Sequence, residues 1–226
     1  MANRILAQRG VLDAFGHVSV RDPARPEQFL ISRSRAAELV EPDDIVAMNL
    51  DARLMDGYRG TPYLEAPIHA EIYRARPDVM AIVHSHAPSV IPFAASTVAL
   101  APVYHMAGFL SKGAPVFDIR TCFGCTDMLV RNGEQGKALA ASLGQAAVAL
   151  MRGHGFVTTG ETLAVAVYRA IYTDLNAASQ QKAIQLGGTV TYLDEGEGRL
   201  ADQTNIGVIE KAWSLWKREA ERSRLT

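Results

Sequence analysis

Cysteine is scarce in this chain, with only Cys122 and Cys125 among 226 residues. They form a C-x2-C pair, but a structural zinc site takes four ligands and no second pair exists to complete one. A thioredoxin-like site needs its pair at a helix start after a strand, a context that fits only loosely here, so the two cysteines are read as small residues in a turn. Charge of one sign is lacking too. Twenty-three Lys and Arg against 24 Asp and Glu leave a net charge of −1, without the basic surplus of a nucleic-acid binder. The longest apolar stretches, such as the one ending at Val83, stop well short of a membrane span. The opening Met1-Ala2-Asn3-Arg4-Ile5-Leu6 carries no long apolar segment and no small-residue cleavage site. Internal repeats, low-complexity tracts and Pro/Gly/Ser linkers are missing as well. What is left is an ordinary balance of 48% hydrophobic and 21% charged residues, in a length that one core can fill. The expectation is a single domain over residues 1–226, belonging to a cytoplasmic enzyme or binding protein.

Along the chain, helical and extended patterns interleave. Arg4 to Gln8 reads as the end of a short helix stopped by Gly10. The β-prone runs Val18–Val20, Phe29–Ile31 and Ile45–Met48 follow, separated by turn-rich segments such as Arg21-Asp22-Pro23 and Glu41-Pro42-Asp43-Asp44. Pro67 to Ala75 is predicted to be helical, since proline is tolerated in a first turn. Val79 to Val83 is predicted to be a buried strand, and Val90 to Ala95 a short helix. Further strands are expected at Val116–Ile119, Ala147–Met151 and Phe156–Thr158, with a helix over Glu134–Leu143 closed by Gly144. The longest helix should run from Glu161 to Leu186 and end at Gly187-Gly188. Ile206, Ile209, Trp213 and Trp216 recur at helical spacing, so the C-terminal segment reads as one amphipathic helix. This interleaving predicts an α/β fold with helices flanking a sheet.

The informative residues are the six histidines, above all Val83-His84-Ser85-His86. Residues i and i+2 of a strand share a face, so His84 and His86 project side by side and could take adjacent positions on one metal. The pattern alone leaves open a pair of polar residues at a strand end. His154 is a candidate third ligand, because the glycines of Arg152-Gly153-His154-Gly155 let the backbone approach a site closely. Glu65, just before a helix, offers a carboxylate that could be a fourth ligand or a base. His69, one helical turn later, could orient Glu65, but reads better as a partly buried structural histidine.

Three segments together carry a resemblance: Leu64-Glu65-Ala66-Pro67-Ile68-His69, the run from Arg76 to Pro88 that contains His84 and His86, and Arg152-Gly153-His154-Gly155. With Gly16-His17-Val18-Ser19-Val20-Arg21 upstream, their order and spacing resemble the class II aldolase/adducin family over nearly the whole chain. The resemblance implies a three-layer α/β/α fold with a central sheet. It also implies one divalent metal ion per subunit held by His84, His86 and His154, Glu65 as the acid/base residue, and a homotetramer with active sites at subunit interfaces. Zinc or manganese is expected, with iron or cobalt as alternatives, since three neutral histidines suit several first-row metals.

The sequence departs from the sugar-phosphate aldolases of that family. Where they carry an asparagine after the first glycine, this chain has His17. Where they have small hydroxyl residues and glycine, it has Ser32-Arg33-Ser34-Arg35, and Tyr63-Leu64 precede Glu65. Hydroxyls and glycine amides cradle phosphate. Tyr63 and Leu64 remove those donors and present an apolar wall, which suits a planar ligand. Arg33 is fork-shaped and matched to a carboxylate, whereas Arg35 reads as a solvated loop residue. His17, Ser32, Arg33, Tyr63 and Leu64 are therefore the expected substrate-binding residues. In Val103-Tyr104-His105-Met106-Ala107-Gly108, His105 falls where the family's fuculose-phosphate aldolase places a tyrosine proton donor across the interface, and Tyr104 takes that role if the alignment slips by one residue.

These departures resemble the family's decarboxylase branch, which acts on hydroxypyridine dicarboxylates, dihydroxyphthalate or carboxylated ring-cleavage products. Retro-aldol cleavage and decarboxylation both leave an enolate-type anion that a chelated divalent metal stabilises as a Lewis acid. The expectation is a metal-dependent carbon–carbon lyase that decarboxylates a hydroxylated aromatic or dienoic acid, with Glu65 or His105 supplying the proton. Its alternatives are an aldolase acting on a non-phosphorylated hydroxy acid or aldehyde, and a non-catalytic module like the adducin head.

Overall fold

In the computed structural model, residues 1–222 are described; positions 223–226 of the expected domain lie outside them. A seven-stranded sheet runs in the order β3-β2-β1-β4-β7-β6-β5. Its strands are β1 (His17–Arg21), β2 (Gln28–Ser32), β3 (Ile45–Asn49), β4 (Ala81–Ser85), β5 (Val116–Phe117), β6 (Val148–Met151) and β7 (Gly155–Gly160). All neighbours pair antiparallel except β5 and β6, which are parallel.

Strand alternation sorts the side chains into two cores. In β4, Ala81 and Val83 join one apolar cluster and Ile82 joins the other; in β6, Val148 and Leu150 divide in the same way from Ala149 and Met151. The first cluster is closed by α1 (Ala2–Gln8), the short α3 (Ile91–Ala94), the long α6 (Leu163–Gln185) and the end of α8 (Ile209–Arg222). The second is closed by α2 (Ala66–Ala75) and α5 (Gly133–Leu143). Helices thus cover both faces, giving the α/β/α layering expected.

Several boundaries differ from the sequence reading. β4 begins at Ala81, not Val79, because the ladder starts where Ala81 faces Val20 on one side and Gly160 on the other. It extends through Ser85 and so takes His84 into the sheet. The strand expected to reach Ile119 stops at Phe117, since Asp118 accepts a hydrogen bond from the Arg120 N–H and starts the short α4 (Ile119–Phe123). The long helix starts two residues later than expected, at Leu163, with the Thr162 side chain capping the Val165 N–H. The single C-terminal helix is two. A capping box between Asp194 and Glu197 starts α7 (Glu195–Gly207), and the break falls at Val208, after a glycine that weakens helical continuity. Cys122 and Cys125 are exposed and not bonded to each other. No described helix is long and apolar enough to cross a membrane.

Candidate active site

Four side chains from three parts of the chain meet at one end of the sheet. His84 lies in β4 and is buried; His86 sits just past its end. His154 is in the tight connection between β6 and β7, where Gly153 takes a φ of +65° and the His154 N–H returns to the Met151 carbonyl at 3.0 Å. Gly155 must lack a side chain, because a Cβ there would stand 2.2 Å from the Ser85 carbonyl oxygen on β4. That close approach is what lets His154 reach the β4 histidines. Glu65 precedes the first residue of α2, and its Oε1 accepts from the Val130 N–H at 3.0 Å.

The other carboxylate oxygen, Oε2, lies 3.5 Å from His84 Nε2 and 3.4 Å from His154 Nε2. His84 Nε2 and His86 Nε2 are 3.1 Å apart, and one ligand atom from each of the four residues lies within 4.8 Å of the others. Each imidazole is held by its opposite nitrogen. His84 Nδ1 meets the Phe156 carbonyl at 3.1 Å, His154 Nδ1 the Met128 carbonyl at 2.9 Å, and His86 Nδ1 both oxygens of Asp13 at 3.2 Å. A carbonyl or carboxylate can only accept, so each Nδ1 carries the proton and each Nε2 is left with a lone pair aimed at the common centre. His154 Nε2 is buried and makes no hydrogen bond.

Lone pairs so close repel unless a cation sits among them. A tetrahedron of ligands at about 2.0–2.1 Å has edges of roughly 3.3–3.4 Å, and three of the six separations here are 3.1, 3.4 and 3.5 Å, the rest lying within 4.8 Å. The residues present therefore fit a divalent metal.

Beside this cluster is a cavity of about 260 Å³ lined by Phe15, His17, Ser34, Tyr63, Leu64, Glu65, Leu129 and the outer two histidines, His86 and His154. His17 faces His84 across the β1–β4 ladder, and its ring packs on Tyr63 at 4.4 Å between centroids. Tyr63 is anchored by donating to the Arg35 carbonyl at 2.6 Å, with the Ser32 hydroxyl 3.2 Å away. Leu64 is exposed at the cavity edge. His69 is fully buried and bonds His17 and Ser19 rather than Glu65.

Other expected residues fall elsewhere. Arg33 does not line the cavity; its Nε donates to the buried Asp44 at 2.6 Å, and Arg35 joins the same carboxylate at 2.9 Å. That acidic anchor is why the guanidinium turns away, and Ser34 faces the cavity in its place. Tyr104 and His105 also lie off this cavity. His105 starts a 3-10 segment (His105–Leu110) and is exposed, while Tyr104 packs against the core on the other face of the sheet, where burial pushes its hydroxyl up to about 12.

Asp13 was not foreseen. Burial raises its carboxyl, but the N–H groups of Phe15 and Gly16, both at 2.8 Å, and then His86 more than offset this. Asp13-Ala14-Phe15-Gly16 does carry a signal, because aspartate often bonds the backbone two residues on. That signal locates a turn, but says nothing of the histidine 73 positions away. Phe15 and Leu129 likewise left no mark in the sequence beyond being apolar.

Residues 1–181 match the family described as Class II Aldolase and Adducin N-terminal domain. The chain is 36% identical to Decarboxylase tropJ of Talaromyces stipitatus, an alignment covering 98% of this chain and 92% of that protein. It is 28% identical to the 3,4-dihydroxyphthalate decarboxylase of Arthrobacter keyseri, over 98% of this chain and 91% of that one. Among solved structures, the L-fuculose 1-phosphate aldolase from Glaciozyma antarctica PI12 superposes with a TM-score of 0.78 at 23% identity, covering 99% of this chain and 86% of that chain.

Proposed function

Because the chain belongs to the class II aldolase and adducin family, we propose that it is a divalent-metal-dependent lyase that removes CO2 from a hydroxylated aromatic or heteroaromatic acid. The observation that carries this reading is the convergence of three Nε2 lone pairs and Glu65 Oε2 beside a cavity walled by Phe15, Tyr63, Leu64 and Leu129. The decarboxylases among its relatives support the carboxy-lyase chemistry. No lysine or arginine is among the residues lining that cavity, which argues against a phosphorylated ligand.

His84, His86 and His154 would hold the ion, with Glu65 at its side. When bound, a divalent cation supplies Lewis acidity toward a substrate oxygen, and zinc and manganese both suit the donor set. Tyr63, Leu64 and Phe15 enclose the ring, and His17 faces its polar substituents. Glu65 Oε2 is the carboxylate oxygen positioned to move a proton, since Oε1 is engaged by Val130. Oε2 takes the proton of the substrate hydroxyl; the bond to the departing carboxylate breaks, with its electron pair left on the ring carbon; Glu65 returns the proton to that carbon. The product phenolate takes up one proton from solvent as it leaves, so that the net change is loss of CO2 and gain of one proton. We assign His105 or Tyr104 to a neighbouring subunit's cavity in a homotetramer, since neither lines the cavity of its own subunit.

The test is CO2 release from 3,4-dihydroxyphthalate and other hydroxylated aromatic acids by protein stripped with a chelator and reloaded with Zn2+ or Mn2+. Release that depends on the added metal is expected. Undiminished release by metal-free protein would overturn the metal role. Two carbonyl fragments from a hydroxy acid, without CO2, would instead make the chain an aldolase.

A further inference from the structure

Behind the cavity wall a chain of buried hydrogen bonds runs inward from His17. His17 Nδ1 lies 2.7 Å from His69 Nε2, His69 Nδ1 lies 2.6 Å from Ser19 Oγ, and Ser19 Oγ lies 2.8 Å from the Tyr73 hydroxyl. All four residues are buried, and the chain ends at Tyr73, whose hydroxyl has no acceptor besides Ser19 among the described residues; the Arg21 backbone N–H beside it can only donate. The proposed lyase chemistry makes no use of His69, Ser19 or Tyr73.

The link between His17 and His69 can run in only two directions. In one, Tyr73 donates to Ser19, Ser19 to His69 Nδ1, and His69 Nε2–H to His17 Nδ1. In the other, His17 Nδ1–H donates to His69 and His69 Nδ1–H to Ser19, which strands either the Tyr73 O–H, if Ser19 donates to the tyrosine oxygen, or the Ser19 O–H, if Tyr73 donates to Ser19. A buried donor without an acceptor is disfavoured, whereas a lone pair without a donor costs less. The first direction therefore prevails.

We propose that Tyr73, Ser19 and His69 act as positioning residues that hold His17 as the tautomer protonated on Nε2, presenting a neutral N–H to the cavity for an anionic oxygen of the ligand. Burial raises the Tyr73 hydroxyl, which keeps the proton it donates. The inference deepens the proposed function, on which the identity of the ligand oxygen rests; the tautomer itself does not depend on turnover. A neutral N–H orients a carboxylate or phenolate without neutralising it, so its role is recognition rather than proton supply.

The test is 15N NMR of Zn2+-loaded protein labelled at histidine, with the His17 signals identified by their loss in His17→Gln. Nε2 couples to both carbon-bound ring protons and Nδ1 chiefly to one, so the protonated nitrogen can be read directly. For both His17 and His69 the expected proton is on Nε2, favoured by roughly tenfold or more from the cost of the orphaned hydroxyl. Ser19→Ala removes the donor to His69 Nδ1 and should shift the resonance of that nitrogen downfield, while the His17 proton stays on Nε2 because a lone pair without a donor costs less than a stranded N–H; Tyr73→Phe leaves Ser19 still donating and should preserve both. A proton on Nδ1 of His17, a doubly protonated ring, or a His69 Nδ1 resonance unmoved by Ser19→Ala would each overturn the proposal. Loss of CO2 release in every preparation with these NMR results intact would count against the lyase reading alone.

Discussion

Of the three imidazoles at the cluster, His86 is the one whose outer hydrogen bond a side-chain substitution can remove. His84 and His154 bond the carbonyls of Phe156 and Met128, which no substitution deletes, whereas His86 Nδ1 rests on the carboxylate of Asp13 at 3.2 Å to either oxygen. Asp13 is itself fixed by the backbone N–H groups of Phe15 and Gly16. Losing such an outer partner typically weakens metal binding by about 10- to 100-fold, or about 1.4–2.7 kcal/mol. The Asp13 side chain is 49% exposed, so solvent screens part of the interaction and Asp13→Ala should fall near the tenfold end of that range. Asp13→Asn should lie between Ala and wild type, because the amide oxygen can keep the backbone turn while the amide nitrogen faces a second N–H at His86. The assay is competition for Zn2+ against a chromophoric chelator at fixed pH, with thermal melts of the apo proteins as a folding control. His86→Ala, which loses a ligand outright, should be weaker than either Asp13 variant. If Asp13→Ala binds Zn2+ within twofold of wild type, the hydrogen bond does not orient His86 and the tautomer assignment for that ring fails.

His84→Ala, or removal of the ion with a chelator, should abolish activity almost completely, since the Lewis acid contributes several kcal/mol to the transition state; elemental analysis and CO2 release, read together, check this. Stability should fall on acidification because His69 is buried and neutral. Burial above all lowers it to about 3 from 6.5, so the unfolded chain binds the extra proton between those values. Its contribution is whole above pH 6.5 and is lost as pH drops toward 3, about 1.4 kcal/mol per pH unit within that window; urea titrations at pH 7.5 and pH 5 should show the slope, and His69→Gln should flatten it. Gly155→Ala places a Cβ 2.2 Å from the Ser85 carbonyl oxygen and should destabilise the fold by at least about 2–3 kcal/mol, seen as a lowered denaturation midpoint.

The parts of the fold legible in the sequence were those with strong local patterns. The Thr162-capped α6 ends before Gly187 and Gly188, both at positive φ, as the glycine pair implied. Boundaries set by neighbours in space were not legible: β4 starts where β1 and β7 allow it to pair, and Phe117 ends β5 because Asp118 caps a helix. The same divide runs through the site. The spacing of His84 and His86 and the glycines around His154 point to a common centre, which the β4–β7 pairing then assembles. Arg33 misled because a fork-shaped donor near a site says nothing of where the acid lies that will claim it. Asp44, eleven positions on, lies beside it in the fold.

The cavity has two unlike walls. The inner one, where His17 lines it, is backed by Ser19 and His84 of the sheet and His69 of α2, all buried and each with a hydrogen-bond partner, without which such burial would be costly. Saturated bonds make that wall rigid, as a metal site requires. The outer wall is Phe15, Ser34, Leu64 and Leu129, all outside the strands and helices. Changes there should therefore alter ligand preference without disturbing the ion. Phe15 is the sharpest case, because the residue is 73% exposed and removing its ring opens no hole in the core. A ring–ring contact with an aromatic ligand is worth about 0.5–1.5 kcal/mol, so Phe15→Ala should raise KM for a hydroxylated aromatic acid by roughly two- to tenfold. Zn2+ affinity and melting temperature should stay at wild-type values, since the bond from the Phe15 backbone N–H to Asp13 survives the substitution. A Phe15→Ala protein that loses the metal along with its substrate would mean that the two walls are not independent, and that the outer one helps to shape the centre.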